Sequence, residues 1–448
     1  MVVGILVFHK SWKYKGVIDD VIQWKQLPQG QREKWWEMFH STIRGKHYTD
    51  WVFAHKLTTC IHLVNCVLIW VLFGRTQIAF AAALLFCVNP SNTQGGVWIS
   101  GKGYALSCMF ALLSLIFIQW FPLLILPSLL FASTALLVPC IFLVKQPHLY
   151  FLTLPLILYV YYTRVHASVK TRMGQSTPTL RTFSVRKVIV GVKTYMYYLC
   201  HSVFPRRIAM FHTFIRFFGM RVSETEYWYS MSPLFWCGCG TLYLLVTNVI
   251  HNPTAFVWGW LAYTLLVGMW CNFITIQQTI GERYLYLPNV FLMFALAHLP
   301  PILVFGLLVY YIVQLCRILP QYKDAMSFFR HNASEFPDCA DAWNSYGAEL
   351  WSAQRIGSAM DVWQQGITLR EKDFKLANNI GGTLMGVGNW VGALHYLEMA
   401  RDGCVYESRE VEYIPVVLQK IEQCREEIKR RGLQVAPIVQ SIPIVSNS

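Results

Sequence analysis

The chain has 448 residues, of which 55% are hydrophobic and 15% aromatic, a composition too apolar for an ordinary soluble domain. Apolar runs that approach the ~20 residues needed to span a bilayer recur from 57 to 319, which predicts a polytopic all-α membrane protein. The net charge of +14 comes from residues 1–323, with 26 Lys and Arg against 8 Asp and Glu, whereas residues 324–448 hold 12 against 16. Two interpretations of this basic excess stay open, loops near anionic lipid headgroups or a site for phosphate. Membrane lipid is an expected partner and nucleic acid is not.

The first 54 residues are interpreted as a short apolar stub followed by an interfacial loop. Residues 1–8 are too few to cross a bilayer as a helix, and the polar and aromatic stretch that follows is typical of a membrane surface. This stretch contains the adjacent carboxylates Asp19 and Asp20 after a basic segment. A carboxylate placed there can act as a general base on an incoming hydroxyl, although adjacent acids in a loop are more often surface charge.

A multi-span membrane domain is predicted over residues 55–320. Its first clear span covers 55–74 and places His55, His62 and Asn65 near one helical face. Polar side chains on a membrane helix are costly against lipid, so we expect these three to face protein or water.

A loop is predicted at 89–104, because the stretch contains a proline and four glycines, and Lys102 is its single charge. No Asp or Glu occurs between Asp50 and Glu224, so few carboxylates can serve any chemistry in the membrane domain. This scarcity argues against a proton- or cation-coupled transporter, which usually has intramembrane carboxylates.

Glu282 and Arg283 lie between two long apolar runs, and Glu282 is the only carboxylate between Glu226 and Asp324. Two interpretations of the pair stay open. It is either a helix-end ion pair, or a site in which Arg283 binds a lipid phosphate and Glu282 orients it. Arginine suits phosphate because its planar guanidinium donates paired hydrogen bonds.

The thirteen cysteines are scattered, and most lie inside apolar runs, where cysteine behaves as a small hydrophobe. Their spacing matches neither a disulfide framework nor a metal-binding motif. The sequence therefore predicts no metal and no cofactor.

Residues 321–432 are predicted to form a tetratricopeptide-repeat solenoid, because small and aromatic residues recur at a spacing of 34. Two full repeats and a preceding half repeat are recognised from these positions: Ala325, Phe329, Trp343, Gly347, Leu350, Ala359, Trp363, Gly366, Ala377, Gly381, Leu384, Ala393, Leu397 and Ala400. A groove around Trp343, Tyr346 and Asn378 is the expected surface for a protein partner. Residues 433–448 are predicted to be a disordered tail.

Four stretches together resemble one family. Residues 18–20 resemble a first-loop Asp-Asp motif, and 55–65 a His…His-x-x-Asn pattern in the second helix. Residues 89–106 resemble a His-Pro-x-x-Thr-Glu-x-x-x-Trp-Ile-x-Gly-Arg-x-Asp-x-Leu motif, and 281–288 resemble Ala-Glu-Arg-x-Leu-Tyr-Leu-Pro. In this order, with repeats at the C-terminus, the chain resembles the multi-span, tetratricopeptide-bearing protein O-mannosyltransferases of the GT-C glycosyltransferase superfamily.

The resemblance implies a membrane enzyme that moves a mannose-like sugar from a polyprenyl-phosphate-linked donor to a protein hydroxyl. It implies that Asp20 or Asp19 is the catalytic base and that Arg283 and Lys102 bind the phosphate. Further expected site residues are Glu282, His55, His62, Trp98 and Gln94. The first loop and the repeats would be extracytoplasmic, in the endoplasmic reticulum of a eukaryote or the inner or plasma membrane of a bacterium, and the repeats would engage the acceptor protein.

Three positions depart from the family pattern. Asn89 stands where the family has His, Gln94 where it has Glu, and Tyr104 where it has Asp. Each change removes charge or support from the expected active site. The alternative interpretation is a catalytically silent, membrane-anchored scaffold whose tetratricopeptide repeats bind partner proteins.

Overall fold

The computed structural model describes residues 2–14, 51–99, 101–117, 124–131, 135, 137–138, 185–208, 253–268, 270–271, 281–337, 339–369, 373–406 and 413–433. All regular secondary structure in these ranges is helical, which confirms the all-α prediction for this part of the chain. Chain contacts define two compact units, one formed by Met1–Met210 with Ser223–Ser327 and the other by Phe211–Val222 with Phe328–Ser448.

The described α-helices are numbered in chain order. They are α1 (Val2–Phe8), α2 (Trp51–Leu72), α3 (Gln77–Val88), α4 (Thr93–Gly96), α5 (Lys102–Ile116), α6 (Ile125–Phe131), α7 (Val185–Val203), α8 (Pro253–Gly268), α9 (Pro288–Leu296), α10 (Pro301–Ile318), α11 (Ala325–Glu335), α12 (Ala340–Ser352), α13 (Ile356–Leu369), α14 (Phe374–Gly386), α15 (Trp390–Tyr406) and α16 (Ile414–Arg430). Short 3-10 turns lie at His9–Lys13, Pro90–Asn92, Glu282–Leu285 and Leu319–Lys323.

Among the described residues, two helical segments are long and apolar enough to cross a membrane, His55–Leu72 and Pro301–Lys323. Helix α10 presents Ile302, Phe305 and Val309 at helical spacing, and their side chains are 74%, 63% and 45% exposed. An apolar stripe of this kind is unfavourable in water and suits lipid. Both segments therefore support membrane association by their length and composition.

The apolar run after Arg283 divides into α9 and α10, because Pro300 and Pro301 have no backbone N–H to continue the helical hydrogen bonding. One sequence-based prediction was wrong. The predicted loop at 89–104 instead contains a 3-10 turn, the short helix α4 and the start of α5 at Lys102.

The first unit is built on close packing of α2 against α3 and α5, and of α9 against α3 and α8. Gly259 on α8 allows one of these approaches, because a Cβ there would lie 2.8 Å from the backbone oxygen of Phe291. Beside it, the Phe73 and Phe294 rings stack at 3.8 Å. Helix α9 follows and contacts the turn Glu282–Leu285, so its packing against α3 and α8 supports that turn.

The second unit consists of helix pairs in which equivalent glycines meet large side chains. A Cβ at Gly347 on α12 would overlap the Trp363 indole on α13, and one at Gly381 on α14 would lie 2.8 Å from Cγ of Leu397 on α15. The Trp363 indole N–H also donates to the Asn344 carbonyl at 3.1 Å. The 34-residue spacing in sequence thus corresponds to a repeated helix–helix contact. Helix α16 ends the described part of this unit and buries Val417, Ile421, Cys424 and Ile428.

Candidate functional site

The turn Glu282–Leu285 lies against the 3-10 turn Pro90–Asn92 and helix α4. The side chain of Gln94 joins the two stretches. Its Nε2 donates to Oε2 of Glu282 at 2.5 Å, and its Oε1 accepts from the backbone N–H of Arg283 at 3.2 Å. Gln94 and Glu282 are 3% and 1% exposed, so this amide fixes the geometry of a buried carboxylate.

Helix α7 supports the same carboxylate from another side. His201 Nε2 lies 3.4 Å from Oε1 of Glu282, and the imidazole stacks on Tyr197 with an angle of 11° between the rings. One turn earlier, the Tyr198 hydroxyl accepts a hydrogen bond from the backbone N–H of Gly281 at 3.2 Å. Buried carboxylates require such polar neighbours to offset the loss of hydration. The end of α7 is therefore part of the site.

Arg283 is only partly buried and its guanidinium lies among aromatic rings. The guanidinium carbon is 5.1 Å from the Tyr284 ring centre and 6.0 Å from that of Tyr104, and Nη2 donates to the Tyr284 hydroxyl at 3.4 Å. Tyr284 in turn stacks on Trp270 at 4.2 Å. Cation–π contacts of this type orient a guanidinium while its outer edge still binds an anion.

A second polar cluster lies around Tyr286. The Tyr286 hydroxyl is 2.6 Å from Nδ1 of His62 and accepts from Nδ2 of Asn65 at 3.3 Å. Gly95 makes this approach possible, because a Cβ there would overlap the Tyr286 ring. Tyr286 is itself buried. The expectation that His55, His62 and Asn65 avoid lipid is confirmed, because all three are buried.

Asparagines hold the backbone of the 3-10 turn Pro90–Asn92. Oδ1 of Asn89 accepts from the Ser91 N–H at 2.9 Å, and its Nδ2 donates to the Ser202 carbonyl at 2.8 Å. Nδ2 of Asn289 donates to Ser91 Oγ at 2.8 Å and to Asn92 Oδ1 at 2.9 Å. Asn89 therefore supports the turn at the position where the resembled family has a histidine.

The structure brings Gln94, Glu282 and Arg283 together. Trp98 and Lys102 are each 5% exposed, at the end of the stretch that contains Gln94. His55 and His62 lie on α2, where His55 Nδ1 is 3.1 Å from the Val97 carbonyl oxygen. Asp19 and Asp20, the expected bases, lie outside the described residues.

Sequence reasoning missed three contributors to the site. His201, Tyr286 and Asn289 were not proposed as site residues, although His201 and Asn289 are polar residues within or beside apolar runs. Such residues in a membrane segment need a protein partner. That signal was present in the sequence, but it does not identify the partner.

In the second unit, the predicted groove residues are partly engaged. Trp343 Nε1 donates to the Pro337 carbonyl at 2.7 Å, and Asn378 Oδ1 accepts from Lys420 Nζ at 2.8 Å. Tyr346 is half-buried on α12. Partial burial lowers the pKa of Lys420 because the charged amine loses hydration.

Chemically, the first unit combines a buried carboxylate with a partly buried arginine whose guanidinium lies among aromatic rings. Such a guanidinium can bind phosphate, and the buried carboxylate can keep the supporting backbone in place.

No protein family, curated protein or solved structure was found to match the chain in the three comparisons made.

Proposed function

We propose that the chain is a membrane glycosyltransferase related to the GT-C superfamily, which moves a mannose-like sugar from a polyprenyl-phosphate donor to a protein hydroxyl. The observation that carries the proposal is the Gln94 bridge to Glu282 and Arg283. It joins two of the stretches on which the resemblance rests, at 89–106 and 281–288, although they are far apart in sequence. Residues of one site are expected to meet in this way.

Arg283 is assigned to the donor phosphate. Its guanidinium rests against Tyr104 and Tyr284, and this aromatic support favours a fixed orientation. Glu282 is a positioning residue, because its buried carboxylate accepts from Gln94 and lies beside His201. Lys102 adds a second positive charge at the start of α5. Asp20 or Asp19 supplies the general base in this proposal.

The proposal also assigns a fold and a side of the membrane to the second unit, and a fold to the first unit. The helix pairs of the second unit form a tetratricopeptide-type solenoid on the extracytoplasmic side, where they bind the acceptor protein. Support comes from the equivalent Gly347 and Gly381 contacts. The first unit is a multi-pass bundle, and the two segments apolar enough to span a membrane support this assignment.

A silent scaffold is the second candidate, and a specific observation favours it. Both polar atoms of the Gln94 amide are hydrogen-bonded to Glu282 and Arg283, and the Tyr104 ring lies against the Arg283 guanidinium. The residues that replace the family's Glu and Asp are thus integrated into the local packing. A chain with this arrangement can keep the fold and still bind partners through its second unit.

A transfer assay separates the two candidates. Full-length protein in detergent is supplied with a polyprenyl-phosphate-linked mannose and an acceptor peptide, and sugar incorporation is measured. Asp20→Asn is expected to lower the rate by about 10²–10⁴-fold, because it removes the base. Arg283→Ala is expected to lower it by about 10²–10³-fold, because phosphate charge in the transition state loses its stabilising donor.

Arg317→Ala is the matched control, because Arg317 is an exposed arginine on α10. It should leave the rate unchanged. If the wild-type protein is folded and monodisperse but transfers no sugar from this donor, the transferase proposal is overturned and the scaffold is supported.

A further inference from the structure

A cluster of metal-ligating side chains adjoins the candidate site and shares His62 with the polar cluster around Tyr286. The ligand atoms of His62, Cys66 and Cys87 all lie within 4.8 Å of one another, and all three residues are buried. His62 and Cys66 are one helical turn apart on α2 and so share a face. Cys87 lies near the end of α3, which packs against α2. The sequence did not predict this cluster because its ligands come from two helices.

The cluster is enclosed by apolar groups. Gly4 of α1 covers it, since a Cβ at that position would lie 2.9 Å from the Cys87 Sγ. The Phe8 ring meets the His62 imidazole edge-on at 5.5 Å, and the Phe86 ring lies 5.5 Å from it on another side. Soft thiolate and imidazole ligands select thiophilic ions such as Zn²⁺ and Cu⁺ over Mg²⁺ or Ca²⁺.

Nδ1 of His62 is hydrogen-bonded to another side chain, as the non-ligating nitrogen of a metal-binding histidine usually is. This nitrogen is 2.6 Å from the Tyr286 hydroxyl, which also accepts from Asn65, whereas Nε2 of His62 is 3.0 Å from the Cys87 carbonyl oxygen. These distances are those of a neutral imidazole whose Nε2–H donates to the Cys87 carbonyl oxygen and whose Nδ1 accepts from the Tyr286 hydroxyl. To bind an ion, the imidazole takes the other tautomer, in which Nδ1–H donates to Tyr286 and Nε2 turns from the carbonyl oxygen to the ion. Zn–S and Zn–N distances of about 2.0–2.3 Å place ligands about 3.5–4 Å apart, so rotation of the side chains closes the site.

We propose that His62, Cys66 and Cys87 bind a thiophilic d10 metal ion that fastens α2 to α3. Binding forms two metal–sulfur bonds and one metal–nitrogen bond, and the two thiol protons pass to the solvent. With Zn²⁺, two thiolates and a neutral imidazole the site has no net charge, which suits an apolar surrounding. With Cu⁺ the three ligands satisfy the ion's usual coordination by soft donors. The proposal is independent of the transferase activity.

The test uses full-length protein in detergent, stripped with a chelator and titrated separately with Zn²⁺ and with Ag⁺, a redox-inert substitute for Cu⁺. Bound metal per chain is measured after gel filtration. We expect about one ion per chain for at least one of the two metals, counted as the uptake that the Cys66→Ser and Cys87→Ser variants lose. Cys66→Ser and Cys87→Ser should each weaken binding at least tenfold.

Tyr286→Phe is the more specific test, because it leaves all three ligands in place and removes only the hydroxyl that is hydrogen-bonded to Nδ1 of His62. It should weaken binding by about 10–100-fold, and it tests the proposal even if the cysteine variants fail to fold. Cys60→Ser and Cys316→Ser, which change exposed thiols, are the controls and should bind as the wild type does. Absence of binding by both ions, or equal binding by wild type and Tyr286→Phe, would overturn the proposal.

Discussion

The two compact units use charged groups in opposite ways. In the first unit the carboxylate of Glu282 is 1% exposed and its described neighbours include Gln94 and His201. In the second unit several carboxylates pair with arginines at the surface, as Glu398 does with Arg425 at 2.9 Å, and the buried Asp373 accepts from a backbone N–H at the start of α14. Buried charge depends on every neighbour, whereas water replaces a lost partner at the surface. A similar substitution should therefore have very different effects in the two units.

The largest expected effect is that of Gln94→Glu, which restores the acidic residue of the resembled family. The change removes the N–H donor to Glu282 and adds a second carboxyl group beside it. We expect the free energy of unfolding to fall by about 3–5 kcal/mol, because a buried charge loses its partner. Unfolding in increasing SDS, followed by circular dichroism, measures the change.

The matched control is Gln365→Glu, the same substitution at an exposed position of α13. It should change the free energy of unfolding by less than about 0.5 kcal/mol. Equal effects of the two substitutions would contradict the contrast between the units.

A middle-sized effect is expected within the second unit, where the helix pairs meet at glycine. Gly347→Ala should lower the free energy of unfolding by about 1–3 kcal/mol, because the new Cβ would overlap the Trp363 indole. Gly381→Ala should cost less, since the Leu397 side chain can change rotamer. Thermal unfolding of the full chain in detergent measures both.

Gly357→Ala serves as the control for these glycines, because nothing lies within 4 Å of a Cβ at that helical position. It should be neutral or stabilising by up to about 1 kcal/mol, the usual helix preference for alanine. If Gly347→Ala and Gly357→Ala behave alike, the packing of Trp363 against Gly347 is wrong.

The smallest effect is expected for the surface pair Arg425–Glu398, whose side chains are 52% and 39% exposed. A double-mutant cycle of Arg425→Ala and Glu398→Gln should give a coupling free energy of about 0.2–1 kcal/mol, reduced by added salt. A coupling above about 2 kcal/mol would show that this unit also depends on its charges.

Local patterns predicted the helices better than the contacts between them. Two patterns among nearby residues are found again in the structure. The polar residues His55, His62 and Asn65 on α2 are all buried, and the 34-residue spacing corresponds to equivalent glycine contacts in successive helix pairs. The division between α9 and α10 could have been read from Pro300 and Pro301. A proline pair is a local signal that outweighs a continuous apolar run.

The site was predicted only as a set of residue types. Gln94 and Glu282 were expected in one site because of the resemblance, but nothing local indicates that an amide would bridge to a backbone N–H 189 residues away. His201 contacts Glu282 from α7, a helix in which the sequence predicted no site residue. Such partners depend on how helices pack, which periodicity does not specify.

The long separations within the first unit have a consequence for biosynthesis. Gln94 precedes Glu282 by 188 residues and His62 precedes Tyr286 by 224, whereas Trp363 finds Asn344 only 19 residues away. At about 5–20 residues per second, a ribosome needs roughly 10–40 s to deliver the later partners. During that time the early helices hold polar side chains whose final partners do not yet exist. During synthesis, the polar side chains of the first unit therefore need temporary hydrogen-bond partners, such as water, lipid headgroups or a membrane chaperone. The helix pairs of the second unit need them far less, because their partners are close in sequence.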